Sequence, residues 1–240
     1  MPMDPLIVRA RGLWEDLARV PVSFAPPSGV NVVVSPRSEL CPVGWVGVVA
    51  LGGSAIVTAP SSSAAVIVRD ALRAMPVEAV VDSALVREAL PAVRVLGPAA
   101  LSYVSSAGFR PVETDELTVE QLPPGHPDLQ SLEQAAGHED AGEAALDEIT
   151  SPAFVVRERD RVVAAAGYRL WPRRTAHIGV PTAPKVRGRG LARVTGSAAV
   201  AHALAVGLLP QWRARPHASR RVATALGFEE LGSQLSIEIA

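Results

Sequence analysis

Cysteine occurs once in this chain of 240 residues, at Cys41. One thiol cannot close an internal disulfide, so nothing in the sequence ties the protein to an oxidising compartment. Lysine is equally scarce: Lys185 is the only one, and arginine carries nearly all the positive charge. Alongside abundant Ala, Val, Gly and Pro, this usage reflects a GC-rich genome, so each arginine has to be weighed by its position. A formal net charge of -1 argues against a strongly basic nucleic-acid binder. Aromatic residues make up 4% of the chain and are not interleaved with the arginines, which argues against a stacking platform for single strands. No apolar run reaches the roughly eighteen residues a membrane helix needs without Gly, Pro or charge. The N-terminal segment lacks the basic-then-apolar order of a secretion signal. The expectation is a soluble, cytoplasmic protein.

What is present is ordinary globular material, 48% hydrophobic and 20% charged. That is enough apolar surface for one large domain or two small ones. Residues 1–112 read as an N-terminal α/β region. An amphipathic helix is expected from Leu6 to Val20, with Leu6, Trp14 and Leu17 facing a core. Strands are expected at Val30–Val34, Trp45–Leu51 and Ala55–Thr58, the last two joined by Gly52-Gly53. Ser61–Ser63 offer N-caps to a helix running to Ala74. Acidic residues crowd the next stretch, among them Asp115, Glu116, Glu120, Asp128, Glu133, Glu139, Asp140 and Glu143. Residues 113–127, with Pro123-Pro124-Gly125, are expected to connect two domains. Acidic helices should follow from Asp128 to Glu148, and the second domain is expected to span 128–240.

From Ser151 the order is strand, strand, strand, helix, strand, helix, strand. The strands are expected at Phe154–Glu158, Val162–Leu170, Thr175–Thr182, Leu208–Ala214 and Leu231–Ile239. The helices are expected at Leu191–Val206, ended by Gly207, and at Ala218–Leu226. This is a mixed α/β (α+β) pattern.

The segment Pro184-Lys185-Val186-Arg187-Gly188-Arg189-Gly190-Leu191-Ala192 lies between an expected strand and the long helix. A helix start offers unpaired N–H groups and the positive end of the dipole, and so holds phosphate. Gly188 and Gly190 remove side chains that would keep phosphate oxygens away and permit unusual backbone angles. Taken alone, the loop reads equally as a tight turn with solvated basic residues. There is no third glycine for a dinucleotide fingerprint and no Gly-Lys-Ser/Thr for a P-loop. The surrounding charge is more telling. From Arg161 to Phe228 there are twelve basic residues and no Asp or Glu, against 24 acids in the whole chain. A one-sign field beside a helix start attracts a compact polyanion.

Three motifs in order now resemble a known family. Ile178-Gly179-Val180-x-Thr182 leading into Lys185-Val186-Arg187-Gly188-Arg189-Gly190 is similar to the GNAT strand followed by Arg/Gln-x-x-Gly-x-Gly/Ala. Pro210-Gln211-Trp212-Arg213-Ala214 resembles the following strand. Ser219 to Ala223, then Leu226-Gly227-Phe228, resemble the short helix and its Leu-Gly-Phe ending. The resemblance covers about residues 150–240 and implies a GNAT-like, mostly antiparallel sheet flanked by helices. It implies acyl transfer, with acetyl-CoA as donor, to a small-molecule or peptide amine by direct attack. Gly179, Val180 and Thr182 would align the pantetheine and the thioester carbonyl. The amides of Arg187, Gly188, Arg189, Gly190, Leu191 and Ala192 would hold the pyrophosphate, with Lys185 in place of the motif's usual Arg or Gln adding charge, and Arg213, Arg215 or Arg220 could reach the 3′-phosphate.

The chain departs from the family at Pro216, where many members carry Asn, and at Ala223, where many carry the Tyr that protonates the leaving thiolate. Ser219 or water is the substitute. A base must take a proton from an ammonium acceptor before attack. Glu148, just before the first strand of the domain, is the first candidate, and His177, on the third strand, the second. The bland readings are a solvated acid at a helix end and a satisfied strand histidine. His126, His138, His202 and His217 have no metal-ligand spacing, and no metal is expected. No nucleic-acid or membrane partner is expected, and the chain is read as monomer or homodimer. Two alternatives stand beside the enzyme: a CoA-binding sensor without catalysis, and a binder of nucleic acid or acidic protein. The N-terminal half has no site motif; Ser102-Tyr103-Val104 through Gly108-Phe109-Arg110 faintly echoes Ala223 through Gly227-Phe228. Two readings stand for that half, a degenerate GNAT-like unit and a chance similarity, and in either case it is expected to shape the acceptor side.

Overall fold

A computed structural model describes residues 4–24, 29–113 and 117–240; the side chains of His138 and Glu139 are not described. Asp115, Glu116 and the side chain of Glu139, all part of the acidic stretch, therefore lie outside the described residues, as does the side chain of His138.

In chain order the elements are α1 (Pro5–Leu17), β1 (Val30–Val34), β2 (Val46–Leu51), β3 (Ser54–Ala59), α2 (Ser62–Leu72), α3 (Ser83–Ala89) and β4 (Ala92–Tyr103). There follow β5 (Glu120–Leu122), α4 (Pro127–Ala136), α5 (His138–Ala144), β6 (Ala153–Glu158), β7 (Arg161–Trp171) and β8 (Thr175–Gly179). The last are α6 (Leu191–Ala205), β9 (Leu209–Ala214), α7 (His217–Ala225) and β10 (Glu229–Ile239). The chain divides into two compact units, Met1–Leu101 with Glu230–Ala240, and Ser102–Glu229.

In the first unit the strand order is β1-β3-β2-β10-β4. β2 pairs antiparallel with β3 and with β10, and β1 runs parallel to β3 over five residue pairs, Val30–Ala55 to Val34–Ala59. Every residue of β2 and β3 is buried. Val46, Val48, Ala55 and Val57 pack with Val68 and Leu72 of α2, with Val86 of α3, and with Leu235 and Ile237. Asp4 caps α1 through Leu6 N at 2.8 Å, and Ser61 caps α2 through Ala64 N. Both are the small oxygen-bearing side chains a helix start selects.

In the second unit the order is β9-β8-β7-β6-β5. β5, β6, β7 and β8 pair antiparallel in succession, and β9 closes the row parallel to β8. The sheet is thus mostly antiparallel, with helices on both faces. α6 packs on β6 to β9, while α4 meets β7 and α5 meets β8. That arrangement explains the unbroken buried run Ala164–Tyr168 in β7, since a strand covered on both faces has no polar side to alternate. On the α6 face, Ile178, Trp212 and Ala214 pack with Val200, Ala203, Leu226 and Phe228. Elsewhere Leu129 and Leu132 of α4 pack with Leu146, Ile149, Val155 and Ala165.

Elements that differ from the sequence reading include α3, to which it assigned nothing, and β4, β5 and β8. β4 is a strand of twelve residues that the pattern left undefined, because Gly97-Pro98 in its middle reads as a turn. Gly97 sits there at φ 110°, with Gln234 O 2.8 Å from where a Cβ would lie. β5 is only three residues long and falls below any periodic signal. β8 ends at Gly179 rather than Thr182, although Thr182 still bridges to Ala164 and Ala183 N donates to Val163 O at 2.9 Å.

Candidate functional site

The parallel pairing of β8 with β9 lasts three residue pairs, Thr175–Leu209 to His177–Gln211. Past that point β8 continues to Gly179 and β9 to Ala214, and a cleft of about 380 Å³ opens between them. Ile178, Gly179, Val180 and Thr182 line one wall and Trp212, Arg213 and Ala214 the other; the loop into α6 closes the end. The Oγ1 atom of Thr182 is buried without a hydrogen-bond partner among the described residues.

The loop is built for close approach to backbone. Gly188 and Gly190 both adopt φ 80°, a region that L side chains rarely enter, and a Cβ on either would meet nothing within 4 Å. Gly190 is the N-cap of α6, and no side chain caps that helix. A 15-residue helix therefore presents its positive end to open space. Arg187 is tethered by its Nε, which donates to Thr182 O at 3.2 Å, while its Nη2 pairs with Asp140.

The cleft brings together Gly179, Val180, Thr182, Arg187, Gly188, Gly190, Leu191, Ala192 and Ser219 from the sequence-derived candidates. Lys185 and Arg189 are not in its lining. Lys185 is exposed on the turn Pro184–Val186, and Arg189 pairs with Glu158. Ser219 of α7 accepts a hydrogen bond from Trp212 Nε1 at 2.9 Å, which leaves its own hydroxyl proton available.

Glu148 and His177 are also absent from the lining. Glu148 pairs with Arg169, both side chains being half exposed. His177 is half-buried between its neighbours, with its Nδ1 2.8 Å from Gln211 Oε1 and its ring stacked on Trp171 at 4.1 Å and 14°. Gln211 in turn donates from Nε2 to Tyr103 Oη at 3.3 Å. Burial, then the charge of Arg213, push the imidazole pKa down to about 3; the bond to Gln211 opposes the shift, and Arg169 adds to it. His177 is consequently neutral near pH 7 and a weak base. Burial likewise lowers the pKa of Arg213.

Two carboxylates of the cleft, Asp140 and Glu143, were not singled out from sequence. Both belong to α5, three residues apart and so on one face of the helix. Asp140 pairs with Arg187 and Glu143 with Arg215. The i, i+3 spacing of acids on a short helix was a readable signal, but it was submerged in a stretch acidic throughout. The described residues include no group of three or more His, Cys, Asp or Glu arranged to hold a metal. Among them no helix is long and apolar enough to cross a membrane.

Residues 151–233 match the family model described as GNAT acetyltransferase. No curated protein matches the chain. Among solved structures, the chain is similar to a GNAT-family structure from Novosphingobium aromaticivorans, 22% identical at a TM-score of 0.48, over 61% of this chain and 65% of that one. It is also similar to a GCN5-related N-acetyltransferase from Kribbella flavida, 19% identical at a TM-score of 0.47, over 65% of this chain and 62% of that one. The chain thus spans less than two thirds of the length of either.

Proposed function

We propose that this chain, whose residues 151–233 match the GNAT acetyltransferase family model, transfers an acyl group, acetyl in the simplest case, from acyl-CoA to an amine. The observation that carries the reading is the cleft that opens where β8 and β9 part, with the uncapped start of α6 at its end. Helix-start amides and two open glycines suit a pyrophosphate. The extended stretch Gly179–Thr182 suits the pantetheine arm and the thioester carbonyl, and the orphaned Oγ1 of Thr182 is a polar atom that a ligand group could satisfy.

In this proposal a neutral amine attacks the thioester carbonyl, the tetrahedral adduct collapses, and the C–S bond breaks. The hydroxyl of Ser219 donates a hydrogen bond to the departing sulfur. Ala223 is buried in the α6-side core and has no proton to give, so the role falls to Ser219 or to water. Glu148 remains the proposed base, acting across water because it stands outside the cleft lining. His177 serves the site by position, fixing Gln211 beside Arg213. A cytoplasmic location is part of the same proposal.

A second reading is a CoA-binding sensor without transfer. It is favoured by the same Ala223, and by both α5 carboxylates being tied to arginines. Calorimetry with CoA and acetyl-CoA, followed by a thiol-release assay across amines, peptides and aminoglycosides, tests both. CoA binding with acceptor-dependent thiol release supports the enzyme. Binding without release by any acceptor supports the sensor, and no binding removes both.

A further inference from the structure

Two carboxylates in the cleft lining are paired with arginines. Asp140 and Glu143 line the cleft from one face of α5; of their partners, Arg187 is in the lining, and Arg215 stands between Ala214 and Pro216, which are. Arg187 belongs to the loop before α6, and Arg215 follows the end of β9. Elsewhere from Arg161 to Phe228 the chain carries no acid at all. The carboxylates that pair with this basic field therefore come from outside it, and the two in the cleft lining, Asp140 and Glu143, lie on one helix.

Three details make these contacts exchangeable rather than architectural. First, the pairs are open to solvent: side-chain exposures are 49% and 41% for Arg187 and Asp140, and 43% and 25% for Arg215 and Glu143. Exposed pairs of this kind are weak, on the order of 0.2–1 kcal/mol each. Second, Arg187 is anchored at its Nε by Thr182 O, so its outer end can change partner while its base stays at the loop. Third, α5 is held to the sheet independently of the pairs. The main chain of Ala144 lies directly against Gly179, so the helix keeps its place when its carboxylates are released.

We infer that Asp140 and Glu143 compete with ligand phosphate for Arg187 and Arg215, so that α5 sets the affinity of the cleft for polyanions. This rests on the CoA reading above. When a phosphate takes over the arginines, the two carboxylates are freed to face the cleft beside Gly179. They would then impart negative charge to a part of the site otherwise lined by arginine. Donor binding would thereby favour the approach of a cationic acceptor, and an empty cleft would hold no such attraction.

The test is calorimetric titration of the full chain with CoA and with inorganic pyrophosphate. The proteins are wild type, Asp140→Asn, Glu143→Gln, the double variant and Glu39→Gln. Glu39→Gln removes the same charge from the exposed Arg19 pair of the first unit, outside the cleft lining and the loop into α6. Asp140→Asn and Glu143→Gln should each tighten CoA by about two- to fivefold, the range that weak exposed pairs allow. The double variant should gain more, and Glu39→Gln should stay at the wild-type Kd. Arg187→Gln breaks the same pair from the other side and should weaken binding. Equal Kd values across the α5 variants, or equal tightening in Glu39→Gln, would overturn the competition while leaving CoA binding intact. Absence of CoA and pyrophosphate binding in every protein would instead overturn the site reading beneath it, and the competition with it.

Discussion

Gly179 and Ala144 meet main chain to main chain: a Cβ on Gly179 would run into the carbonyl oxygen of Ala144. The last residue of α5 is thereby pressed onto the last residue of β8, at the point where the cleft opens. A backbone oxygen cannot rotate aside as a side chain would. Gly179→Ala should therefore cost roughly 1–3 kcal/mol through overpacking. At about 2–4 °C per kcal/mol for a chain of this size, the loss is measurable by thermal melting. Acceptor turnover should fall further than CoA affinity, because α5 is displaced while the α6 loop is untouched. An unchanged melting temperature would show that α5 is not seated on Gly179.

The glycines of the loop make the opposite case. Gly188 and Gly190 have open space around them, so substitution there is opposed by φ 80° alone. Gly190→Ala should cost about 1–2 kcal/mol of stability, the penalty for an L residue in the left-handed region. The double variant Gly188→Val with Gly190→Val should remain folded but lose CoA affinity by at least tenfold, roughly 1.4 kcal/mol. Calorimetry on a protein of unchanged circular dichroism checks this.

His177 provides a pH signature. Its folded pKa of about 3 lies below the ordinary 6.5, so the unfolded chain binds the proton more readily between those values. The resulting contribution to stability is complete above about pH 6.5 and is progressively lost as pH falls toward 3. His177→Gln should flatten that part of the acid unfolding curve, read as urea midpoints from pH 4 to 7.5. At neutral pH, Glu148→Gln should lower turnover more than His177→Gln. Equal turnover of Glu148→Gln and wild type across the pH range would remove Glu148 from the mechanism.

Ser219 stands in the cleft with its oxygen on Trp212 Nε1. Ser219→Ala leaves that N–H without its acceptor, a cost of about 1–3 kcal/mol if water does not replace it. If the hydroxyl also assists the leaving sulfur, kcat should fall by roughly tenfold or more while the KM for acyl-CoA changes little. A fall in thermal stability with kcat intact would confine Ser219 to supporting Trp212.

The phosphate loop was legible because its signals are local: Pro184, two glycines and a helix start lie within a few residues of one another. The β6–β7–β8 hairpins and α6 were legible for the same reason, each carrying its period or its turn residues. What the chain hid depends on distance. Asp140 meets Arg187 across 47 positions of sequence, and no window on the acidic stretch singles Asp140 out from its neighbours. His177 illustrates the other limit. Its residue type suggested a titration near neutrality, whereas burial and, after it, the nearby charge of Arg213 move it far from that range. β4 was hidden by its own Gly97-Pro98, which punctuates like a turn yet lies inside a strand.

The ladder between β8 and β9 stops after three rungs, and the main chain of Ile178 and Gly179 is left beyond its last one. An interrupted ladder is a template, because an extended molecule with amides at main-chain spacing can continue the rungs that the protein omits. Recognition then works partly as a ruler, indifferent to side chains and sensitive to the distance between amide groups along the ligand. Saturation with CoA should slow amide exchange at Ile178–Val180. In the first unit β1 runs alongside β3 for five rungs, from Val30–Ala55 to Val34–Ala59. There the chain itself occupies the template, and exchange at Ala55–Ala59 should be the same with and without ligand.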